Sequence, residues 1–504
     1  MAQAGSPDSW EGTLNFSERL AEKMQQPDSA LAIVFEGRDF SWGEVREASK
    51  QLEELLEQAG VDSTQTVGIL SRNRAGHAAA IVNLIGSGRS ISIIYTMQSP
   101  EGIARDIRQL ALPAVIGAAE DWSDDVVRAA HETGTAALRL GSREGLTLEL
   151  VPGASVAGPT LLRHFPQPLT LTLLSSGTTG MPKRIDFPAT VLDRMLETMA
   201  VADQPGDIYE PEINFLPLSG MGGMTPFLAS ICRAGSVWLL ERYNLEVWLS
   251  AIEKVQPKTV VMLPAIIREL LDKQVPASSF KSIRVVWGGS APLSIATQDQ
   301  FEQTYGIPIL WGYGATEFAG SATSWTPALR AEFGNGKRGS AGRPLAGVSI
   351  RIIDPETRSE LPRGQEGLIE ARIATLGSHW IRTTDLALMD DDDFLFLRGR
   401  ADQAIIRGGF KVLPETITDA LLEHPAVRDA MACGIDDRRL GQVPVAAVEL
   451  KEGPNSATEE ELLDFLRIKL VTYAIPTRID IVQKLPRTGN MKASIAALRS
   501  TAEA

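Results

Sequence analysis

The stretch Leu173-Leu174-Ser175-Ser176-Gly177-Thr178-Thr179-Gly180-Met181-Pro182-Lys183 gathers four hydroxyl side chains, two glycines and a lysine. Glycines let a backbone curl until its N–H groups converge on one anion. Ser and Thr hydroxyls add short-range donors, and the lysine adds a point charge suited to phosphate. Residue types in this order are fit to hold a polyphosphate. The spacing G-x-x-x-x-G-K-[ST] is absent, so this is not a Walker loop. The run Asp390–Asp393 is the other dense group of chemistry-bearing side chains. It lacks the spacing of a calcium loop and reads as a solvated hairpin tip.

The phosphate loop needs a rigid element behind it. Leu169-Thr170-Leu171-Thr172-Leu173-Leu174 reads as a buried strand leading into it. Leu52, Leu55 and Leu56 give a helix over Ala48–Ala59 with Gly60 as its stop. Thr66–Leu70 is a short strand and Ala79–Ile85 a buried helix. Thr259–Leu263 is a strand followed by a helix from Pro264, and Ile283–Trp287 is a strand ending in a Gly-Gly turn. This alternation predicts doubly wound, mostly parallel sheets, with ligands at the strands' carboxyl ends. Ser349–Pro355 and Gly367–Ile373 read as antiparallel strands with Leu361–Gly364 in the turn. Pro414-Glu415 opens a helix through Leu422, and Ser456–Glu459 reads as a capping box.

The 504 residues are too many for one core, so two or three domains are expected. The hydrophobic content of 44% and charged content of 22% are ordinary for a globular enzyme. A net charge of −14 excludes a broad basic surface and disfavours nucleic acid as a partner. The two cysteines, Cys232 and Cys433, make no disulfide framework, and a cytoplasmic location is expected. No apolar run reaches the ~18 residues of a membrane span, and no signal peptide is evident.

From roughly Phe40 to Lys492 the chain resembles the acyl-adenylate-forming superfamily of acyl-CoA synthetases, peptide-synthetase adenylation domains and beetle luciferases. Several separated motifs in order carry the resemblance. The first is the phosphate loop, which implies that Ser175, Ser176, Gly177, Thr178, Thr179, Gly180 and Lys183 bind nucleotide. The second is Trp311-Gly312-Tyr313-Gly314-Ala315-Thr316-Glu317. There the resemblance implies that Tyr313 stacks on adenine between Gly312 and Gly314. It also implies that Thr316 bonds the α-phosphate and Glu317 holds Mg²⁺, both acting in catalysis. Gly288-Gly289-Ser290-Ala291-Pro292 resembles the adenine-side loop, with Gly289, Ser290, Ala291 and Pro292 against the nucleotide. Arg382-Thr383-Thr384-Asp385 matches the ribose segment, with Asp385 accepting from the ribose hydroxyls. In Gly399-Arg400-Ala401-Asp402, Arg400 should reach the ribose and Asp402 should be the hinge. Gly408, Gly409 and Phe410 should line the coenzyme A tunnel. Lys492, in Pro486-Arg487-Thr488-Gly489-Asn490-Met491-Lys492, matches the catalytic adenylation lysine. Gly220, Met221, Met224, Trp287 and Trp311 should line the acyl pocket.

The resemblance implies an α/β fold. A large N-terminal domain of doubly wound sheets plus a β-barrel-like subdomain, 1–400, would carry a small mobile α+β domain, 401–504. The implied activity is an acyl-CoA ligase using a carboxylic acid, ATP, Mg²⁺ and coenzyme A through acyl-AMP, with AMP as product. Departures from the family pattern open alternatives. Arg184 and Thr384 stand where glycines are usual, Gly220 where a bulky gate is usual, and Met491 where glycine is common. A mobile Arg184 guanidinium can pair with phosphate but cannot restore the open backbone that glycine supplies, and with Thr384 crowding the ribose side this would impair adenylation. The chain would then mainly thioesterify an acyl-AMP supplied by a helper adenylating enzyme. A stand-alone adenylating enzyme that loads a carrier protein is the other alternative. Gly220 enlarges the pocket and the methionines adapt its shape, so a bulky hydrophobic acid is expected.

Overall fold

A computed structural model describes residues 16–143, 145–154, 169–174, 184–199, 210–451, 456–488 and 494–503. The phosphate-loop residues Ser175 to Lys183 lie outside the described residues, as do Met491 and Lys492. The chain divides into two compact units, Met1–Val255 and Gln256–Ala504. The expected boundary at Arg400–Asp402 falls inside the second.

The first unit holds β1 (Leu31–Phe35), β2 (Arg38–Ser41), β3 (Val67–Ser71), β4 (Ile91–Tyr95), β5 (Ala114–Ala118) and β6 (Ala136–Leu140). It continues with β7 (Leu148–Leu150), β8 (Thr170–Leu174), β9 (Arg184–Pro188), β10 (Glu212–Asn214) and β11 (Val237–Leu239). One sheet runs β7-β6-β5-β3-β4-β8-β9 and the other β10-β11-β1-β2. In the larger sheet the pairs from β6 to β8 are parallel, with antiparallel β7 and β9 at the edges. Every residue of β3 and β5 is buried. That follows from a parallel sheet covered on both faces, and explains why these strands read as unbroken apolar runs. The helix Ala75–Gly86, predicted from Ala79, is buried almost throughout.

The Trp42–Gln58 helix starts six residues before the predicted Ala48. Ser41 accepts from the Glu44 N–H while Glu44 accepts from the Ser41 N–H, a reciprocal cap that outweighs Gly43 within the first turn. Likewise the predicted cap Ser456–Glu459 lies two residues early. Thr458 and Glu461 form the box, and the helix runs Glu459–Lys469.

The second unit opens with β12 (Thr259–Met262), β13 (Val285–Gly288), β14 (Ile309–Ala315), β15 (Gly320–Ser324) and β16 (Arg343–Pro344), adjacent in that order. The first three are parallel, and β15 and β16 add antiparallel. An antiparallel meander follows: β17 (Val348–Ile353), β18 (Gly367–Ile373), β19 (Ile381–Met389) and β20 (Leu395–Arg400). Its inner face, with Ile369, Ala371, Ile373, Ala387 and Met389, closes over Tyr313 and Phe318 from the end of β14. The β19–β20 turn is the carboxylate tip. Lys337 reaches Asp390 at 2.8 Å and Asp392 at 2.5 Å, and Arg363 reaches Asp393 at 2.5 Å.

The chain then restarts with β21 (Ile405–Arg407), β22 (Phe410–Val412), β23 (Val427–Asp437), β24 (Gly441–Leu450) and β25 (Ile479–Ile481). The order is β22-β21-β24-β23, with β25 parallel on β24. Helices Pro414–Leu422 and Glu459–Lys469 bury Ile417, Leu421, Leu462 and Leu466 on this sheet. Neither cysteine forms a disulfide, Cys433 is buried, and burial pushes the Cys232 thiol up to about 12. Among the described residues no helix is long and apolar enough to cross a membrane.

Candidate active site

The expected nucleotide residues of the second unit gather at the carboxyl ends of β13 and β14. Gly288 and Trp311 are register partners. A Cβ on Gly288 would lie 2.0 Å from the Trp311 ring, so only glycine lets that indole lie flat on the strand. A Cβ on Gly289 would meet the Gly312 carbonyl at 2.9 Å. Ser290 follows with φ +68, a left-handed conformation that costs a non-glycine residue energy and turns Ala291 and Pro292 away from the strand line. Trp287 is half-buried one residue before the turn.

Beyond Trp311 the strand exchanges its parallel neighbour for antiparallel β15. A Cβ on Gly314 would lie 2.4 Å from the Gly320 carbonyl. Thr316-Glu317-Phe318 makes a single turn. Phe318 is fully buried and meets Tyr313 edge to face at 6.0 Å. That anchor leaves Thr316 half-buried and Glu317 exposed.

Tyr313 is 7% exposed, and its hydroxyl donates to Asp385 Oδ2 at 2.6 Å, tying β14 to β19. Its visible work is to hold Asp385. Asp385 and Arg400 are cross-strand partners on β19 and β20, with Arg400 Nη1 3.6 Å from Asp385 Oδ1. Arg400 also grips Asp402 with two bonds, 2.9 Å to Oδ1 and 2.8 Å to Oδ2. Its Nη2 donates to Thr384 Oγ1 at 2.5 Å. Burial raises the Asp385 pKa above the usual carboxylate range. The Tyr313 hydroxyl and Arg400 oppose that rise, while the charges of Asp402 and Glu317 reinforce it. The sequence-predicted residues Tyr313, Asp385, Arg400 and Asp402 therefore form one connected group, with Glu317 within electrostatic reach.

Sequence reasoning missed Glu415 as a member of this group. It was legible only as a helix opener, since nothing in Pro414-Glu415 marks a site. Its carboxylate is largely enclosed and faces Gly399, whose φ is +136 and whose added Cβ would lie 2.4 Å from Glu415 Oε2. Oε2 has no hydrogen-bond partner. Burial, with Asp419 and Asp385 nearby, pushes the Glu415 carboxyl up to about 7.

Two expectations about the departures need correction. Arg184 is not a mobile cation. It lies on β9, where its guanidinium donates to the Ile93 carbonyl at 3.0 Å and pairs with Asp106 at 3.3 Å. Thr384 does not simply add bulk, since its hydroxyl accepts from Arg400.

Gly408 and Gly409 form the two-residue turn between β21 and β22, with φ +57 and +88. Positive φ at both positions is the tight hairpin geometry that favours glycine. Phe410 is 55% exposed and stacks on Tyr473 at 4.6 Å. In the first unit, Gly220 precedes the Met221–Ala234 helix, and Met221 and Met224 are buried on it. A Cβ on Gly223 would lie 2.3 Å from the Leu216 and Pro217 carbonyls, so this helix starts hard against the Leu216–Ser219 segment. Asn73 fixes that segment by donating to the Leu216 carbonyl and accepting from the Leu218 N–H.

Among the described residues no three His, Cys, Asp or Glu side chains cluster to hold a metal ion. Exposed Glu317 alone fits Mg²⁺, which binds through one or two carboxylates plus substrate phosphates.

Comparison with known proteins matches this layout. The family model for AMP-binding enzyme covers residues 20–377, and that for the AMP-binding enzyme C-terminal domain covers 416–492. 4-Coumarate–CoA ligase 3 of Oryza sativa subsp. japonica is 26% identical over 505 residues, covering 94% of this chain and 89% of that protein. 2-Succinylbenzoate–CoA ligase of Bacillus subtilis (strain 168) is 24% identical over 488 residues, covering 94% and 95%. ATP-bound MatB from Rhodopseudomonas palustris shares the fold, with a TM-score of 0.81, 21% identity and coverage of 97% and 99%. The chain belongs to the AMP-binding enzyme family, within the acyl-adenylate-forming superfamily.

Proposed function

We propose that this protein is an acid–CoA ligase that works in two steps. A carboxylate oxygen attacks the α-phosphorus of ATP, the bond to pyrophosphate breaks, and acyl-AMP forms. The coenzyme A thiol, losing its proton, then attacks the acyl carbon and releases AMP. The first step turns a poor electrophile into a mixed anhydride. The observation that carries the reading is the Tyr313–Asp385–Arg400–Asp402 group at the ends of β14, β19 and β20. A carboxylate held by a phenol and flanked by a guanidinium suits a ribose diol. Thr316 and Glu317, in the single turn after β14, are assigned to the α-phosphate and to Mg²⁺, which would supply charge neutralisation on the phosphates. Lys492 would stabilise the charge that develops between carboxylate and α-phosphate.

Asp402 is the proposed hinge between domains 1–400 and 401–504, and the gap between the two family matches, 377 to 416, supports that placing. The ties that hold Arg184 and Thr384 favour the full two-step activity over a helper-dependent one. Coenzyme A is preferred over a carrier protein because the relatives are named CoA ligases. The acid is proposed to be bulky and ring-bearing. Gly220 supports this, as do the acids in the names of the coumarate and succinylbenzoate relatives.

The test is purified protein with ATP, Mg²⁺ and coenzyme A against a panel of acids, scoring pyrophosphate and AMP separately. Pyrophosphate with a ring-bearing acid, followed by AMP only when coenzyme A is added, is expected. Preference for acetate would refute the acyl assignment, and AMP release independent of any thiol would refute the ligase.

A further inference from the structure

An ion-pair network joins the Pro264–Asp272 helix to the strands beyond the proposed hinge. Asp429, on β23, is 7% exposed at its side chain and uses its two oxygens for different partners. Oδ1 pairs with Arg268 at 2.8 Å, and Oδ2 pairs with Arg487. Arg268 is 13% exposed at its side chain. One turn further on, Asp272 lies 3.7 Å from Arg428, which also pairs with Glu449. Glu449 in turn accepts from the Leu485 N–H at 2.6 Å. Two carboxylates thus fasten the stem Leu485–Arg487, and one of them also fastens the helix.

The two ends of this network matter. The helix starts at the carboxyl end of β12, and Arg268 is about 6 Å along its axis by the usual helical rise. That is the edge of the sheet where Gly289–Pro292 and Gly312–Glu317 lie. In sequence the stem precedes Lys492, which lies outside the described residues. Meanwhile the Gly408-Gly409 turn and Phe410 are exposed. The arrangement is one in which the stem of the lysine loop is docked and the glycine hairpin is not.

We propose that Asp429 is a positioning residue for the first half-reaction. Clamped between Arg268 and Arg487, it holds the 401–504 domain in the adenylating arrangement and must let go of Arg268 before the thiol step. The inference rests on the two-step ligase reading. A single buried carboxylate shared by two guanidinium groups is strong while intact, and costly when one partner is removed. It therefore behaves as a discrete catch.

Arg268→Gln should lower single-turnover acyl-AMP formation at least tenfold. Thioester formation from supplied acyl-AMP should stay equal or become faster. Arg268→Lys should recover most of the loss, which a purely structural role of the side chain's shape would not allow. A second variant gives a readout without turnover. Arg268→Cys with Asp429→Cys, in a Cys232→Ser background, should be captured by a short bismaleimide. The linked protein should make acyl-AMP but not thioester. Equal loss of both steps in Arg268→Gln, or failure of the cysteine pair to link, overturns the clamp while leaving the ligase intact. Wild-type protein inactive in both steps overturns the ligase reading and the clamp with it.

Discussion

Asp385 is held by a phenol on one side and a guanidinium on the other, and its neighbours set what each substitution should do. Asp385→Ala should weaken nucleotide binding about ten- to hundredfold, the usual cost of a lost charged hydrogen bond. Titration calorimetry with AMP checks it, and unchanged affinity removes the residue from the site. Glu415 offers a pH test. Its folded-state pKa, about 7, lies above the ordinary 4.5, so the folded protein keeps a proton that the unfolded chain has released. This contribution to stability should therefore be full below pH 4.5 and be lost as pH rises from 4.5 through about 7. Glu415→Gln should flatten that fall in a series of thermal melts, and an unaltered slope would show that another group causes it. Arg184→Gly should cost about 1–2 kcal/mol in denaturant unfolding, from lost ties to Ile93 and Asp106, without faster pyrophosphate release. The sequence showed that Arg184 replaces a glycine. It could not show that Asp106, far away in the chain, waits beside it, because such a pairing depends on β9 joining the sheet through β8, two strands from β4, and on where the Pro100–Leu110 helix packs.

At the scale of elements, close backbone approach decides the outcome. Gly288→Ala would drive a methyl into the Trp311 ring and displace it, an overpacking cost of about 1–3 kcal/mol. Loss of near-ultraviolet tryptophan signal together with weaker acid binding is expected, and an unshifted spectrum would place the indole elsewhere. Strands β3, β8, β12 and β13 were legible as short apolar runs, whereas β4, β5 and β6 were not picked out, because apolar runs among buried helices carry no period of their own. Helix starts were less so. Ser41 and Glu44 cap a helix whose first turn contains Gly43, and two Ser/Thr-x-x-Glu patterns compete at Ser456 and Thr458. Local chemistry permits both of the latter, and the packing of Leu462 and Leu466 selects one. The tie of Tyr313 to Asp385 was not legible either, since it joins motifs whose spacing carries no record of a shared hydrogen bond.

For the molecule as a whole, the order of motifs along the chain was the readable part. The pairing of elements across the proposed hinge was not. Arg268 and Asp429 look like ordinary surface charges in sequence, and only the fold makes them neighbours. The two half-reactions should be separable by substitution. Lys492→Ala should abolish acyl-AMP formation and largely spare thioester formation, with pyrophosphate and thioester assays as the paired readouts.

The surroundings of the two cysteines have a practical consequence. Burial hides one sulfur and keeps the other in its protonated, unreactive form. A disulfide reagent that colours on meeting a thiolate should therefore find almost none in the native protein. Any colour in a reaction mixture would come from unspent coenzyme A, and its disappearance would follow ligation in real time.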